Sequence, residues 1–183
     1  RLEAAAHGVE WAHGHVRLDR ALLDGANLNV ALSDTAKKDT TETPVQWLIE
    51  TDELAVRRSE IALTMPGDSL HVRAKMGDAV LKQGVFDLEC PRYSVRSFQL
   101  KEGAVSMNTT RRSLPHDALF DIAGLAVDVH DLSFDENKRL KLNLVHAAAL
   151  ERQRNLRITE LRGAVLMDTL RVSLPDVLLT TTQ

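Results

Sequence analysis

The sequence predicts an all-β fold, an elongated and curled antiparallel β-sheet built from repeated hairpins. Three observations predict this fold. Apolar and polar residues alternate with a period of two along most of the chain, as in strands whose successive side chains point to opposite faces. Turn-forming residues recur about every ten residues, which is typical of a meander of hairpins. Finally, 44% of the residues are hydrophobic but only 4% are aromatic, so the apolar surface is mostly aliphatic.

The alternating segments extend from Val16 to the end of the chain. Between their apolar positions stand mainly Arg, Lys, Asp, Asn, His, Ser and Thr, as expected of a sheet with one face in water. Each segment is therefore predicted to be a strand with one apolar face. Their apolar residues are Val16 and Leu18; Leu28, Val30 and Leu32; Ile61, Leu63 and Met65; Leu70, Val72, Ala74 and Met76; Leu125, Val127 and Val129; Leu140, Leu142 and Leu144; and Leu170, Val172 and Leu174.

Glycine after a polar residue marks most of the predicted turns, because a tight hairpin turn requires a positive φ that glycine adopts at little cost. Asp24-Gly25, Glu102-Gly103 and Arg162-Gly163 stand in the similar sequences LLDGANL, LKEGAV and LRGAVL. We interpret these as a degenerate repeat of strand, turn and return strand, with residues 54–65 as a longer-turn version without glycine. Further turns are predicted at Gly67-Asp68, Gly77-Asp78, Gln83-Gly84 and residues 135–138.

Residues 1–183 are predicted to form a single segment of a longer protein, since the chain begins at Arg1 rather than Met. The polar sequence DTAKKDTTET at 34–43 predicts a mobile loop. Leu140, Leu142, Leu144, Ala148 and Leu150 keep one parity, so residues 140–150 are interpreted as one long strand, although three alanines make residues 144–150 compatible with a helix. Residues 1–10 are ambiguous in the same way.

The composition excludes several function classes. The net charge is −3, with 23 basic and 26 acidic residues scattered along the chain, so we expect no nucleic-acid partner. There is no apolar run long enough to span a membrane and no signal segment, so any membrane contact is expected through parts outside this segment. The single cysteine, Cys90, leaves no intrachain disulfide to predict.

The candidate catalytic and metal sites are weak, and we expect no enzyme, no catalytic residue, no metal and no cofactor. His13 and His15 share a strand face, but a zinc site needs a third ligand. Asp128 and Asp131 lie near His130, but adjacent strand residues point to opposite faces, so no His-carboxylate pair is expected. No nucleophile motif and no phosphate-binding glycine motif is present.

The apolar face of the predicted sheet needs a cover. About thirteen strands would span on the order of 60 Å, and monomers rarely expose contiguous apolar patches beyond a few hundred Å². The sheet must therefore pair with a second sheet, close into a barrel or curl around something apolar. The alternation alone leaves these outcomes open.

Three segments resemble the strand-turn-strand units of the TamB and AsmA-like proteins of Gram-negative envelopes: residues 53–72, 98–109 and 156–176. The resemblance covers most of the chain from Trp11 onward. It implies a taco-like groove with an apolar interior, an inner-membrane anchor in the full-length protein, and a periplasmic location. It also implies phospholipid or another acyl-chain ligand, and an outer-membrane assembly protein as a possible partner.

Under this resemblance the protein transports phospholipid between the inner and outer membranes or serves outer-membrane biogenesis. The alternative is a closed β-sandwich or solenoid that acts as a structural or adhesive module of a surface protein. The groove hypothesis assigns the functional role to inward apolar side chains. We nominate Leu28, Val30, Ile61, Leu63, Leu70, Val72, Val105, Met107, Leu142 and Leu170 as the residues that line the groove.

Overall fold

The structure, a computed structural model, describes residues 1–10, 14–31, 47–65, 70–88, 90, 92–109 and 120–182. These residues form eleven strands and no helix, so the predicted all-β fold class is confirmed. The strands are β1 (Leu2–Glu10), β2 (His15–Asp24), β3 (Asn27–Ala31), β4 (Leu48–Met65), β5 (Leu70–Asp87), β6 (Arg92–Thr109), β7 (Phe120–Phe134), β8 (Leu140–Glu151), β9 (Leu156–Met167), β10 (Val172–Ser173) and β11 (Leu178–Thr182).

All eleven strands belong to one open, curled sheet with the order β1-β2-β4-β5-β6-β7-β8-β9-β10. Two positions hold a pair of short strands end to end: β2 and β3 along β4, and β10 and β11 along β9. The sheet is therefore nine positions wide, or about 40 Å at a strand spacing of about 4.8 Å. Residues 1–10 and 140–150, the two ambiguous segments, lie in strands β1 and β8.

One part of the pairing differs from the antiparallel prediction. β2 and β3 both run parallel to β4, whereas the other pairs of described strands are antiparallel. A parallel pair needs a return connection of a dozen or more residues, and residues 32–47 separate β3 from β4. The loop predicted at 34–43 falls in this connection and lies outside the described residues.

The long strands are interrupted along two lines that run across the sheet. We call the first line crease 1. It contains one residue on each of several neighbouring strands. Each of these residues lies next to a row of charged residues that stand directly opposite one another, such as Arg57 and Asp78. All of the crease 1 positions except that on β5 have positive φ. Crease 1 consists of Gly25 between β2 and β3, Arg58 in β4, Gly77 in β5, Glu102 in β6 and Gly124 in β7.

The second line, crease 2, consists of Asp52 in β4, Gln83 in β5, Arg96 in β6 and Asp131 in β7. These four residues face one another and take no part in the regular ladder. Gln83 has a φ of 49° and Asp131 a φ of 50°. Bulges and left-handed residues of this kind bend a strand and increase its twist. The two creases therefore divide the sheet into three panels.

At each crease the apolar alternation changes phase, but the apolar side chains stay on one face. A Cβ added to Gly103 would lie 2.7 Å from Leu100 Cδ2, so residues 100 and 103 share a face although they are three apart. Residues 81, 84 and 86 also share a face, because a Cβ added to Gly84 would lie 2.8 Å from side-chain atoms of Leu81 and of Phe86. One apolar face therefore runs through all three panels.

Several glycine turns predicted from the sequence are wrong. Gly77-Asp78, Gln83-Gly84, Glu102-Gly103 and Arg162-Gly163 lie inside strands, and Asp24-Gly25 joins two strands that run in the same direction. Residues 54–65 lie within β4 rather than around a turn. The prediction failed because these polar-glycine pairs also stand at strand creases, where Gln83 and Glu102 themselves adopt the positive φ that is typical of turns. The turn predicted at Gly67-Asp68 lies outside the described residues.

Four hairpin turns instead begin with a carboxylate that accepts backbone N–H groups. Asp87 accepts from Cys90, Asp135 from Asn137 and Arg139, Glu151 from Gln153 and Arg154, and Asp168 from Leu170 and Arg171. The turn predicted at residues 135–138 is confirmed as the β7–β8 turn. The Arg139 side chain hydrogen-bonds Asp135 and holds the pKa of that carboxyl below its usual value.

The core is small for a chain of this size. No large side chain in the described part of the chain is fully buried. The accessible surface is 12764 Å², whereas a compact monomer of 20.3 kDa has about 8,800 Å². The sheet is thus a single layer with no second sheet packed on it among the described residues. The buried hydrophobic residues are Ala21, Ala55, Ala79, Val95, Leu100, Ala123 and Val129.

Candidate functional site: the apolar face of the sheet

Eight of the ten nominated residues come together on β3 to β6, in the panel beyond crease 1. We call this surface wall 1. Val30, Leu63, Val72 and Met107 stand directly opposite one another on successive strands, and directly opposed residues share a face. The register continues the row to Phe120 on β7. Wall 1 consists of Leu28, Val30, Ile61, Leu63, Leu70, Val72, Val105 and Met107.

Wall 1 is open to solvent. Leu28 and Val30 are each 43% exposed, and the side chains on β4, β5 and β6 that the structure describes are half-buried. The two other nominees lie elsewhere. Leu142 is half-buried on β8, opposite Val165. Leu170 lies in the β9–β10 turn and is 90% exposed, so the strand expected around it is reduced to the two residues of β10.

The deepest part of the apolar face lies between the two creases, and the sequence reasoning missed it. We call this panel the floor. Ala79 is 3%, Leu100 8% and Val129 7% exposed, which makes the floor the best-buried panel. Its alternating runs are short and out of phase with those of wall 1, so they gave a weak sequence signal. The floor consists of Leu54, Val56, Ala79, Leu81, Phe98, Leu100, Val127, Val129 and Leu144.

The panel beyond crease 2, wall 2, carries an aromatic row. Phe86, Tyr93 and Phe134 stand directly opposite one another on β5, β6 and β7. The rings of Phe86 and Tyr93 are 6.3 Å apart, and those of Tyr93 and Phe134 are stacked 5.8 Å apart. The row continues to Ile49 on β4 and Leu140 on β8. Three of the seven aromatic residues are thus gathered at one side of a face that is otherwise mostly aliphatic.

The opposite face of the sheet is polar and carries cross-strand ion pairs. The Nε atoms of three arginines lie close to carboxylate oxygens of neighbouring strands: Arg57 to Asp78 at 3.3 Å, Arg20 to Glu53 at 3.1 Å and Arg73 to Glu60 at 2.9 Å. At crease 1, the Arg58 side chain hydrogen-bonds Asp24 and lowers the pKa of that carboxyl. This face is therefore built for contact with water.

Two of the described histidines, His15 and His130, lie near carboxylates. His15 Nε2 is 3.0 Å from Glu50 Oε2, and His13 lies outside the described residues. The expectation that His130 forms no pair with a carboxylate rested on adjacent residues pointing to opposite faces, and this reason fails for Asp128, which is two residues away and shares the face of His130. His130 Nε2 is 3.2 Å from Asp128 Oδ1 without hydrogen-bond geometry, and Asp128 Oδ2 accepts a hydrogen bond from Gln99.

Within the described ranges, no three His, Cys, Asp or Glu side chains are arranged to hold a metal ion. The described part of the chain also contains no helix with the length and hydropathy that a membrane crossing requires. The prominent feature of the molecule is therefore the continuous apolar face of wall 1, floor and wall 2. Comparisons of the chain with protein-family models, with curated proteins and with solved structures found no match.

Proposed function

We propose that the apolar face is a groove for the acyl chains of a phospholipid or a similar lipid. The observation that carries this proposal is an apolar face that continues across neighbouring strands of a single-layer sheet and that no other described strand covers. Wall 1 alone places aliphatic side chains on four successive strands, with half-buried or exposed positions throughout its described side chains. A ligand that covers this face would remove apolar surface from water.

The energetics favour an acyl chain as that ligand. Each methylene transferred from water to an apolar surface gains about 0.8 kcal/mol, so a lipid chain does not leave a membrane through water readily. Aliphatic side chains offer contact area without directional bonds. A chain can therefore slide along such a face because neighbouring positions bind it about equally well.

The wider role follows the resemblance to TamB and AsmA-like proteins. Under this proposal the chain is a segment of a periplasmic protein, anchored in the inner membrane, that moves phospholipid toward the outer membrane or serves outer-membrane biogenesis. An outer-membrane assembly protein is the expected protein partner. The closed-sandwich alternative needs a second apolar layer, and the described strands form one open sheet. This observation favours the groove.

Lipid extraction tests the proposal. The purified segment, washed in detergent-free buffer, is extracted with organic solvent and the extract is analysed by mass spectrometry. We expect phospholipid in a reproducible molar ratio to the protein. A soluble protein of similar size purified from the same cells is the control. Extracts that hold no more lipid than the control, from a folded segment, would contradict the proposal.

A further inference from the structure

The two walls of the groove differ in chemistry, and this difference bears on how a lipid would lie between them. Wall 1 presents aliphatic side chains and Met107, with Phe120 at its β7 end. Wall 2 presents the contiguous rings of Phe86, Tyr93 and Phe134. A lipid is also two-ended, with an apolar chain and a polar ester and headgroup.

Tyr93 is the one residue of the aromatic row with a polar end. Its ring packs between two phenylalanine rings, and its side chain is half-buried. In the described part of the chain, no group forms a hydrogen bond with the Tyr93 hydroxyl. The hydroxyl oxygen is also absent from the buried polar atoms that lack a partner, so it is accessible to water. Tyrosine with an apolar body and a wet hydroxyl suits a boundary between apolar and polar surroundings.

The edge of the sheet next to the aromatic row is strongly polar. The β5–β6 and β7–β8 turns follow Phe86 and Phe134 within a few residues, and they carry the ion pairs Asp87–Arg92 and Asp135–Arg139. Arg92 and Arg139 are exposed, with 61% and 64% of their side-chain surface open to solvent. The surface therefore passes from the mostly aliphatic floor to the aromatic row and then to a charged edge over a short distance.

We propose that the aromatic row of wall 2 holds the ester region of a bound lipid, so that the acyl chain lies toward the floor and the headgroup leaves over the Arg92 and Arg139 edge. This assignment rests on the proposed function. Tyr93 is then a binding residue whose hydroxyl donates to an ester oxygen. Phe98 on the floor, about 16 Å farther along β6, contacts the distal part of the chain.

Single-tryptophan reporters test this orientation. In a background with Trp11→Phe and Trp47→Phe, Tyr93→Trp and Phe98→Trp each place one indole on the groove face. The probe is phosphatidylcholine brominated either near the ester or near the methyl end of its chain. We expect ester-end bromine to quench Tyr93→Trp more strongly, and methyl-end bromine to quench Phe98→Trp more strongly. Met107→Trp reports on wall 1.

The outcomes separate the two proposals. No quenching of any reporter by either lipid contradicts the groove function itself. Quenching of Tyr93→Trp that does not depend on bromine position, or ester-end quenching that is strongest at Met107→Trp, overturns the orientation alone. For each folded variant, the quenching by the ester-end lipid is compared with the quenching by the methyl-end lipid.

A conservative variant provides a second reading. Tyr93→Phe keeps the ring and removes the hydroxyl, so it should weaken phosphatidylcholine binding by about two- to tenfold, the worth of one hydrogen bond. Binding of a hydrocarbon without an ester group should not change. An equal loss for both probes would show that the substitution disturbs packing, and it would overturn the role assigned to the hydroxyl.

Discussion

Gly77 is the position at which the crease geometry is most directly testable by a single methyl group. A Cβ added there would lie 2.7 Å from Glu102 Cβ, 2.9 Å from Lys101 O and 3.0 Å from Glu102 O. Non-bonded carbon atoms normally stay about 3.5–4.0 Å apart, and the obstructing atoms belong to the β6 backbone and its Cβ. Gly77→Ala therefore forces β5 and β6 apart at crease 1.

The expected cost combines two effects. Overpacking of this kind costs about 1–3 kcal/mol, and the lower entropy of the unfolded chain with alanine returns about 0.4–1 kcal/mol. We expect Gly77→Ala to lower the free energy of unfolding by about 1–2 kcal/mol. Gly8→Ala is the matched control, since a Cβ on Gly8 of β1 would meet no atom within 4 Å. It should be neutral or slightly stabilising.

Urea unfolding of the two variants and the wild type gives the comparison. The midpoint should fall for Gly77→Ala with an unchanged slope, because the surface exposed on unfolding is the same. If Gly77→Ala and Gly8→Ala unfold at the same urea concentration, β5 and β6 do not approach as closely at crease 1 as the structure has it.

Three further variants test other parts of the fold. Leu100→Ala on the floor should cost about 2–4 kcal/mol and Leu63→Ala on wall 1 only about 1 kcal/mol, as measured by chemical denaturation; equal costs would mean that wall 1 is as buried as the floor. At Gly124, where φ is 57°, Gly124→Asn should be about 1 kcal/mol more stable than Gly124→Val, and the reverse order of thermal midpoints would exclude the left-handed conformation. Arg139 lowers the pKa of Asp135 in the folded state, so this carboxylate stabilises the fold above its ordinary pKa and the contribution is lost as pH falls through the lower, folded value. The stability difference between wild type and Asp135→Asn should accordingly shrink between about pH 6 and about pH 3, and a difference that grows over this range would contradict the sign of the shift.

The fold class was predictable because period-two alternation is a local signal that strand geometry imposes on every residue. The lengths of the strands were not predictable in this way. Glu102-Gly103 has the residues of a tight turn, but it lies within the 18-residue strand β6. Positive φ occurs both in a hairpin turn, as at Lys138, and at a crease, as at Glu102, so a dipeptide that favours positive φ does not distinguish them. The carboxylate at the start of the hairpins, such as Asp135, would have been the better signal.

Only the part of the candidate site with a clear local alternation was predicted from the sequence. Leu70, Val72, Ala74 and Met76 form a long uninterrupted alternation, and this clarity led to the nomination of wall 1. The floor carries runs of only two or three apolar residues between creases, such as Phe98 and Leu100, in the opposite phase to Val105 and Met107. The parallel pairing of β2 with β4 could not be predicted from local sequence patterns either, because it depends on contacts between segments that are distant in sequence.

The central claim is that the apolar face accepts lipid rather than a second protein layer, and one pair of neighbouring residues on β5 tests it. Val72 is half-buried on wall 1, whereas His71 is exposed on the polar face. A carboxylate introduced at position 72 would lie against an apolar ligand, which is unfavourable for a charge. The same carboxylate at position 71 would be hydrated. Both variants should remain folded, because in an open groove neither position is sealed from solvent.

Binding of fluorescent phosphatidylcholine by Val72→Glu, His71→Glu and the wild type is the decisive measurement, with circular dichroism as the check that each variant is folded. The groove account predicts that Val72→Glu loses most of the binding while His71→Glu retains it. Equal binding by the three folded proteins, or unfolding of Val72→Glu alone as in a closed core, would contradict the claim that wall 1 is an open lipid surface.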